Sequence, residues 1–460
     1  MKRRTFGLMV SSSLIAIAAA RPARAGVSAA QANLLKTTLT PMGSERAGNA
    51  DGSIPAWTGG MTTLAPGVDP NGVMPDFFAG EQPVVVIDQN NYTQYGDRLT
   101  DGVVELIKKS GFNLKVYPTH RTQAIPQWVA DNTYQNALNS APDPAGIRFG
   151  FSGAYGGYPF PIPSEDDNKG GEILWNHICS WKSSGFNIVA SSFIVNGGSP
   201  VLTSTVKAYQ NYPYYDPNGS FATFQGWYGQ LRVNYLGPPD QDGQELLQYV
   251  PTQPLKQPFE AWQLLEGQGR VRKAPELNYD TPAIPLGGIG NYDELFGFYG
   301  SPDRYDVKFV AKKEMYIPYN NNAVLLQDPY DLLKPSFLNP DHVRWELHRV
   351  WVIDLTLAPG ERNVLPHRRL YIDEDTWIIG IADEWDAQGN MWRVNMNMNY
   401  VAPTLPGVIQ QTSALYDLQT GQYIMSPSGY SDPKYGTAPI FERSNLNLFN
   451  PNSLAAQSQF

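Results

Sequence analysis

Six carboxylates crowd one stretch of this 460-residue chain, RRLYIDEDTWIIGIADEWDAQGNMWRVNMNMN over 368–399. Asp373, Glu374, Asp375, Asp383, Glu384 and Asp386 are the residue types that acid–base work on a glycan needs, one carboxyl to give a proton and one to take it. Their spacing argues for a plainer use. Glu374 and Asp375 fall in a predicted turn and Asp386 opens the next, where acids favour turn backbone and water. His342, Glu346 and His348 share one face of a predicted strand. Residues two apart on a strand stand about 7 Å from each other, so a metal would need Glu346 and His348 to converge and a third ligand from elsewhere. Ion pairing with Arg344 needs neither. Trp175-Asn176-His177 sits on a predicted helix, where neighbours splay by about 100° and cannot meet on one small ligand. Asn176 and His177 are expected to bond backbone of the Gly-Pro-rich loop nearby. No Gly-x-Ser-x-Gly elbow accompanies Cys179 or the histidines. GAYGGYPFPIP lacks the Lys-Ser/Thr ending of a phosphate loop, and its Tyr155, Tyr158 and Phe160 are expected to pack against a sheet. No metal, cofactor or catalytic residue is assigned.

The elements that must position these groups are mostly strands. From His342 to Leu357 the odd positions Val343, Trp345, Leu347, Trp351, Ile353, Leu355 and Leu357 are apolar apart from Arg349. Side chains alternate across a strand, so this spacing predicts a sheet with one apolar face. Leu370 and Ile372 continue it, Trp377, Ile379 and Ile381 follow a turn, and Trp392, Val394, Met396 and Met398 alternate with Arg393, Asn395, Asn397 and Asn399. The residues expected to line a ligand-binding surface are Trp345, Trp351, Ile353, Leu355, Trp377, Ile379, Ile381, Trp392, Val394, Met396 and Met398. Unbranched Met396 and Met398 would adapt to varied guests. Further strands are predicted at 191–195, 221–236, 245–250, 261–265, 270–273 and 304–317, and short turns between them favour an antiparallel meander. Helices are predicted over 29–39, 99–111, 128–138 and from 171 to Trp181, each from apolar residues at helical spacing. NYDELFGFYG (Asn291 to Gly300) is a short helix candidate over the sheet and the expected mobile lid.

The first 25 residues read as an export signal. Lys2, Arg3 and Arg4 precede an apolar stretch, and Ala23-Arg24-Ala25 is a small-x-small cleavage site, with cutting expected after Ala25. Arg3-Arg4-Thr5-Phe6 fits twin-arginine export as well as the general secretory route. No Cys follows the cleavage site, so no lipid anchor is expected there. Elsewhere no run of about 18 apolar residues occurs that would span a membrane. The net charge of −9 becomes more negative once the basic signal is removed, which argues against nucleic acid as a partner. Cys179 is the single cysteine, so stability must come from core burial and not from a disulfide. Forty-two Gly, 38 Pro and 12% aromatic residues point to long ordered loops around a sheet. Residues 26–80 read as an extended arm over the surface, and 81–460 as one curved-sheet domain with helical insertions.

AGNADGSIPAWTGG (47–60), GGYPFPIP (156–163), WNH (175–177), GQGRVRKAP (267–275), KKEMYIPYN (312–320), HRVWVIDLTLAPGERN (348–363) and RRLYIDEDTW (368–377) together resemble the exported bacterial family known as domain of unknown function 1329. Gly269 interrupts the basic run of the fourth stretch. The resemblance implies an α+β fold like that of the periplasmic lipoprotein carriers: a large curved antiparallel sheet, a half-open β-barrel, wrapped around a few helices with long Gly/Pro-rich loops. It further implies a carrier for a lipid-like, hydrophobic or amphipathic molecule, with an outer-membrane barrel protein and an inner-membrane export pump as partners. Two other readings stand beside it, a periplasmic hydrolase acting on a glycan or ester and a scaffold between membrane partners that binds no guest.

Overall fold

The computed structural model describes residues 26–454 apart from 71, 266–268, 429–431 and 433; the expected signal lies outside the described residues, as do the first two residues of GQGRVRKAP. The strands in chain order are β1 (Val85–Ile87), β2 (Leu114–Val116), β3 (Ala141–Pro142), β4 (Phe151–Ser152), β5 (Gly185–Asn196), β6 (Ser199–Asn211), β7 (Trp227–Gly237), β8 (Glu245–Pro251), β9 (Glu260–Leu264), β10 (Val271–Lys273), β11 (Tyr305–Pro318), β12 (Arg344–Leu357), β13 (His367–Asp373), β14 (Ile379–Trp385), β15 (Met391–Ala402), β16 (Gly407–Asp417) and β17 (Tyr423–Ser428). The helices are α1 (Ala29–Ala32), α2 (Asp101–Ser110), α3 (Gln127–Asn139), α4 (Lys169–Ile178), α5 (Asn322–Leu325) and α6 (Pro329–Leu332).

All strands but β3 and β4 join one sheet of 15, in the order β1-β2-β12-β13-β14-β15-β16-β17-β5-β6-β7-β8-β9-β10, with β11 also paired to β12. Neighbours run antiparallel except where Arg344 and Trp345 pair parallel with Lys115 and Val116. The sheet is therefore two meanders, β5–β10 and β12–β17, stitched together where Tyr423 to Met425 pair with Phe193 to Val195. It is large and mostly antiparallel, and its end strands β1 and β10 do not pair to close it. β6 was not predicted, because along it neither set of alternate residues is uniformly buried and the period-2 signal is weak.

Both faces of the sheet are covered. On one, Val103, Leu106 and Ile107 of α2 pack with Trp345, Tyr371, Val394, Met396 and Tyr416. On the other, Ile173, Leu174, Trp175 and Ile178 of α4 pack with Ile353, Leu370 and Ile379 of one meander and with Tyr228 and Val250 of the other. A single helix can touch strands so far apart in the order only if the sheet bends around it. Helix α4 approaches closely because Gly170 has no side chain: a Cβ there would stand 2.7 Å from the Phe309 amide nitrogen. Helix α2 starts at Thr100, whose hydroxyl accepts from the Val103 N–H, and ends at left-handed Gly111. Across the 26–80 segment, Trp377 Nε1 donates to Met42 O at 2.9 Å, and Met74 N donates to the Tyr400 hydroxyl at 2.8 Å.

Candidate functional site

The eleven apolar residues expected on one face are divided between two. Trp345, Ile381, Val394, Met396 and Met398 belong to the core under α2. Trp351, Ile353, Leu355, Trp377 and Ile379 belong to the core around α4, where Trp351 and Trp377 stack with ring centroids 5.9 Å apart. Trp392 is half-buried at a strand end, its Nε1 donating to Asp417 at 3.0 Å. Two slips of phase cause the division. Tyr371 pairs with Ile381 while Ile372 pairs with Ile379, so Gly380 bulges and puts Ile379 and Ile381 on opposite faces. Along β12, Leu347 and Val350 share a core although they differ in parity. Trp345, Met396 and Met398 border a small enclosed crevice with Phe112, Leu338 and Tyr416; the other predicted residues are packed against side chains.

The acidic turn is not a solvated one. Asp373, Glu374 and Asp375 are buried, because residues 42–47 and Arg121 cover them. Arg121 grips Asp375 with two bonds of 2.8 and 2.7 Å, and Lys312 meets Glu374 at 2.6 Å. His348 lies between Glu346 at 3.2 Å and Asp373 at 3.1 Å. These groups neutralise one another, and no set of His, Cys, Asp or Glu among the described residues is arranged to hold a metal. Asp383 is buried at the start of α2, accepting from Gly102 N–H at 3.0 Å and the Thr100 hydroxyl at 3.1 Å. Burial nevertheless pushes its carboxyl up to about 7. Asp386 alone behaves as read from sequence, accepting from the Gln388 and Asn390 N–H groups in an exposed turn. Asn176 bonds both backbone groups of Phe160, at 2.9 and 2.6 Å, which holds the glycine-rich loop on α4.

The cleft best lined for an apolar guest lies elsewhere, between the end of α4, strands β5–β8 and the 291–300 segment. Its walls are Ile178, Phe186, Tyr212, Tyr228, Val250, Phe296, Phe298, Tyr299 and Ile409, with His177, Lys182, Gln210 and Gln410 as the polar groups. The cleft is nearly closed as it stands, with about 40 Å3 open to a water-sized sphere, so a guest larger than a few atoms enters only if the walls part. His177 backs the cleft as a neutral ring, since burial lowers it to about 3. Its Nδ1 stands 3.1 Å from Trp377 O and 3.3 Å from the Ile379 amide nitrogen, and its Nε2 stands 3.2 Å from Phe298 O, so the ring bridges the roof and the Trp377–Ile379 backbone. Cys179 is also buried, and desolvation pushes its thiol up.

The 291–300 segment roofs this cleft, and it is fastened. Tyr292–Gly297 forms 3-10 turns broken by Leu295 and by Phe296, whose φ of 59° is one that side chains rarely adopt. That turn aims Phe296 at the cleft while the preceding residues face the sheet. Arg368 donates to Gly297 O at 2.8 Å and stands 3.7 Å from the Asp293 carboxylate; Arg393 meets Glu294 at 2.5 Å. Glu384 completes the group, 2.7 Å from Arg368. Burial, and then the charge of Glu294, push Glu384 far up, so its protonated form leaves two cations facing two anions.

A profile of the family described as "Protein of unknown function (DUF1329)" matches residues 86–455. The chain belongs to the DUF1329 family. It is similar to the "Uncharacterized protein PA3922" of Pseudomonas aeruginosa, 37% identical over 412 residues that cover 87% of this chain and 88% of that one. Among solved structures it is similar to a DUF1329 family protein from Desulfovibrio piger, at 11% identity and a TM-score of 0.43 over 63% of this chain and 100% of the other. A putative outer membrane lipoprotein-sorting protein domain from Vibrio parahaemolyticus aligns over the same shares, at 14% identity and a TM-score of 0.41.

In this DUF1329 chain, sequence reading flagged the roof and passed over the walls. Tyr228 and Val250 come from predicted strands, but Tyr212 follows β6, which was not predicted, and Lys182 follows α4 with nothing beside it to single it out. What brings them together is the bend of the sheet, which no local pattern encodes.

Proposed function

We propose that this chain is a periplasmic binding protein or carrier for a hydrophobic or amphipathic molecule, held in the cleft between α4, β5–β8 and the 291–300 roof. The observation that carries the reading is a largely aromatic cleft at the edge of the core around α4, covered by a segment with its own fastenings. On this reading the bent sheet serves as the wall of a half-open barrel, and the guest is buried and released without chemistry being done on it. At about 25 cal/mol per Å2, a guest burying roughly 300 Å2 of apolar area gains about 7 kcal/mol before entropy losses. That suffices for reversible capture. Transfer to partners at the two membranes belongs to the same reading. Among the described residues no helix is long and apolar enough to cross a membrane, which suits a carrier that shuttles between them.

Organic extraction of the purified protein followed by mass spectrometry tests this directly, and a lipid-like molecule is the expected result. A Gly229→Leu variant supplies the control: a Cβ there would pass Gln210 Nε2 at 3.3 Å and Tyr212 at 3.5 Å, so the added side chain fills the cleft. Wild type at a hundredfold excess of guest over Kd should gain about 2.7 kcal/mol, which for a chain of this length raises Tm by about 3 °C. The variant should show neither the extract nor the shift. A folded wild type that yields no extract and shifts with no amphiphile would end the carrier reading.

A further inference from the structure

We infer that the guest is an anionic single-chain amphiphile whose head group, a carboxylate or a phosphate, sits at Lys182 while its chain lies along Tyr212, Tyr228 and Phe296. The inference rests on the carrier reading and narrows it. Buried cations elsewhere in this chain are matched: Arg121 by Asp375, Arg232 by Glu245, Arg344 by Glu346, Arg368 by Asp293 and Arg393 by Glu294. Lys182 is not. Among the described residues no carboxylate comes within 4.0 Å of it, although the chain carries 43 acids against 34 basic residues. Its ammonium has two long contacts, 3.4 Å to Ile178 O and 3.4 Å to the Tyr228 hydroxyl. The charge also lies 5.7 Å from the centroid of the Tyr228 ring, and of the three N–H groups of the ammonium one is left for a guest.

The position is as telling as the missing partner. Lys182 keeps part of its surface free, and it forms part of the cleft wall. The groups around it are the neutral His177, the Cys179 thiol, the hydroxyls of Tyr212, Tyr228 and Tyr299, and the amide of Gln210. None supplies negative charge. Desolvation lowers the ammonium to about 8, so it is still mostly charged at neutral pH and stands in an environment that disfavours that charge. An incoming anion removes the mismatch, and in a dry cleft a charge-assisted hydrogen bond is stronger than a neutral one. The contact with Ile178 O at the end of α4 is the competing structural role, a helix C-terminus capped by a cation.

Binding of hexadecanoate, hexadecyl phosphate and hexadecanol, measured by displacement of a fluorescent fatty acid, separates these cases. Wild type should bind one or both anions at least about tenfold more tightly than the alcohol, and the better of the two identifies the head group as carboxylate or phosphate. K182M should weaken anion binding at least about tenfold, to the level of hexadecanol on wild type, and K182R should restore the preference. If wild type binds hexadecanol as tightly as both anions, or if K182M keeps the preference, the guest is not held by this ammonium and the carrier reading stands without it. If folded wild type binds none of the three but still yields a lipid-like extract, this inference falls and the carrier reading stands; if it yields no extract either, both fall. Should K182M fail to fold, K182Q gives the same comparison.

Discussion

His348 shows how a residue suited to chemistry is spent on structure. Its ring lies between Glu346 and Asp373 and stacks on Tyr319 with centroids 3.9 Å apart, while Arg344 shares Glu346 and Arg121 holds the adjoining Asp375. Burial works against the charged ring, but the two carboxylates outweigh it and raise its pKa to about 9. A histidine raised in the folded state contributes stability that is complete below its unfolded value, about 6.5, and is lost as pH climbs through about 9. His348→Gln has no such titration. Urea unfolding should therefore show the stability gap between wild type and variant shrinking between about pH 6.5 and 9, by ~2–3 kcal/mol. A gap that stays flat or widens over that range would mean the ring is neutral in the folded protein. The pairings behind this could not be read from sequence, since Arg121 and Asp375 lie 254 positions apart and each looks like a surface residue by itself.

Among the elements, α4 carries the greatest demand, because it must touch both meanders at once. Gly170 seats its first turn on β11: a Cβ would lie 2.7 Å from Phe309 N and 2.8 Å from the backbone of Lys308, and backbone cannot step aside as a side chain can. Gly170→Ala should cost ~1–3 kcal/mol by overpacking. At Gly96, whose Cβ would meet nothing within 4 Å, the same change should be close to neutral. Comparing the two by thermal unfolding keeps the general glycine-to-alanine effect out of the difference; equal shifts would mean that α4 has slack against β11. The helices were legible because α2, α3 and α4 keep apolar residues three and four apart over ten residues or more. Faces of strands were less so. A bulge at Gly380 reverses the phase of β14 without altering the alternation that a reader sees, and β6 hides in a run of half-buried residues.

For the molecule as a whole, capture and release depend on the roof, which is tied at both ends. Its first half is held to the sheet by Arg368 at Asp293 O and Arg393 at Glu294, and its second half by Arg368 at Gly297 O and by His177 of α4 at Phe298 O. A guest that enters the cleft must part Phe296 and Tyr299 from the opposite wall, so opening draws on the same contacts that fix the roof. Glu294→Gln keeps the shape of the side chain and leaves the buried Arg393 without its anion, a change that costs ~3–5 kcal/mol when a buried pair is broken. Only part of that needs to reach the roof: about 1.4 kcal/mol raises the open population tenfold. Amide hydrogen exchange should then quicken at 291–300 before it does in β12–β15, and dissociation of a bound amphiphile should speed up by about tenfold or more. Replacing both partners with apolar residues, Glu294→Leu with Arg393→Met, removes the stranded charge and should recover much of the lost stability. If Glu294→Gln lowers Tm while exchange at 291–300 and the rate of dissociation stay at wild-type values, the roof is a fixed part of the wall and not the guest's way out.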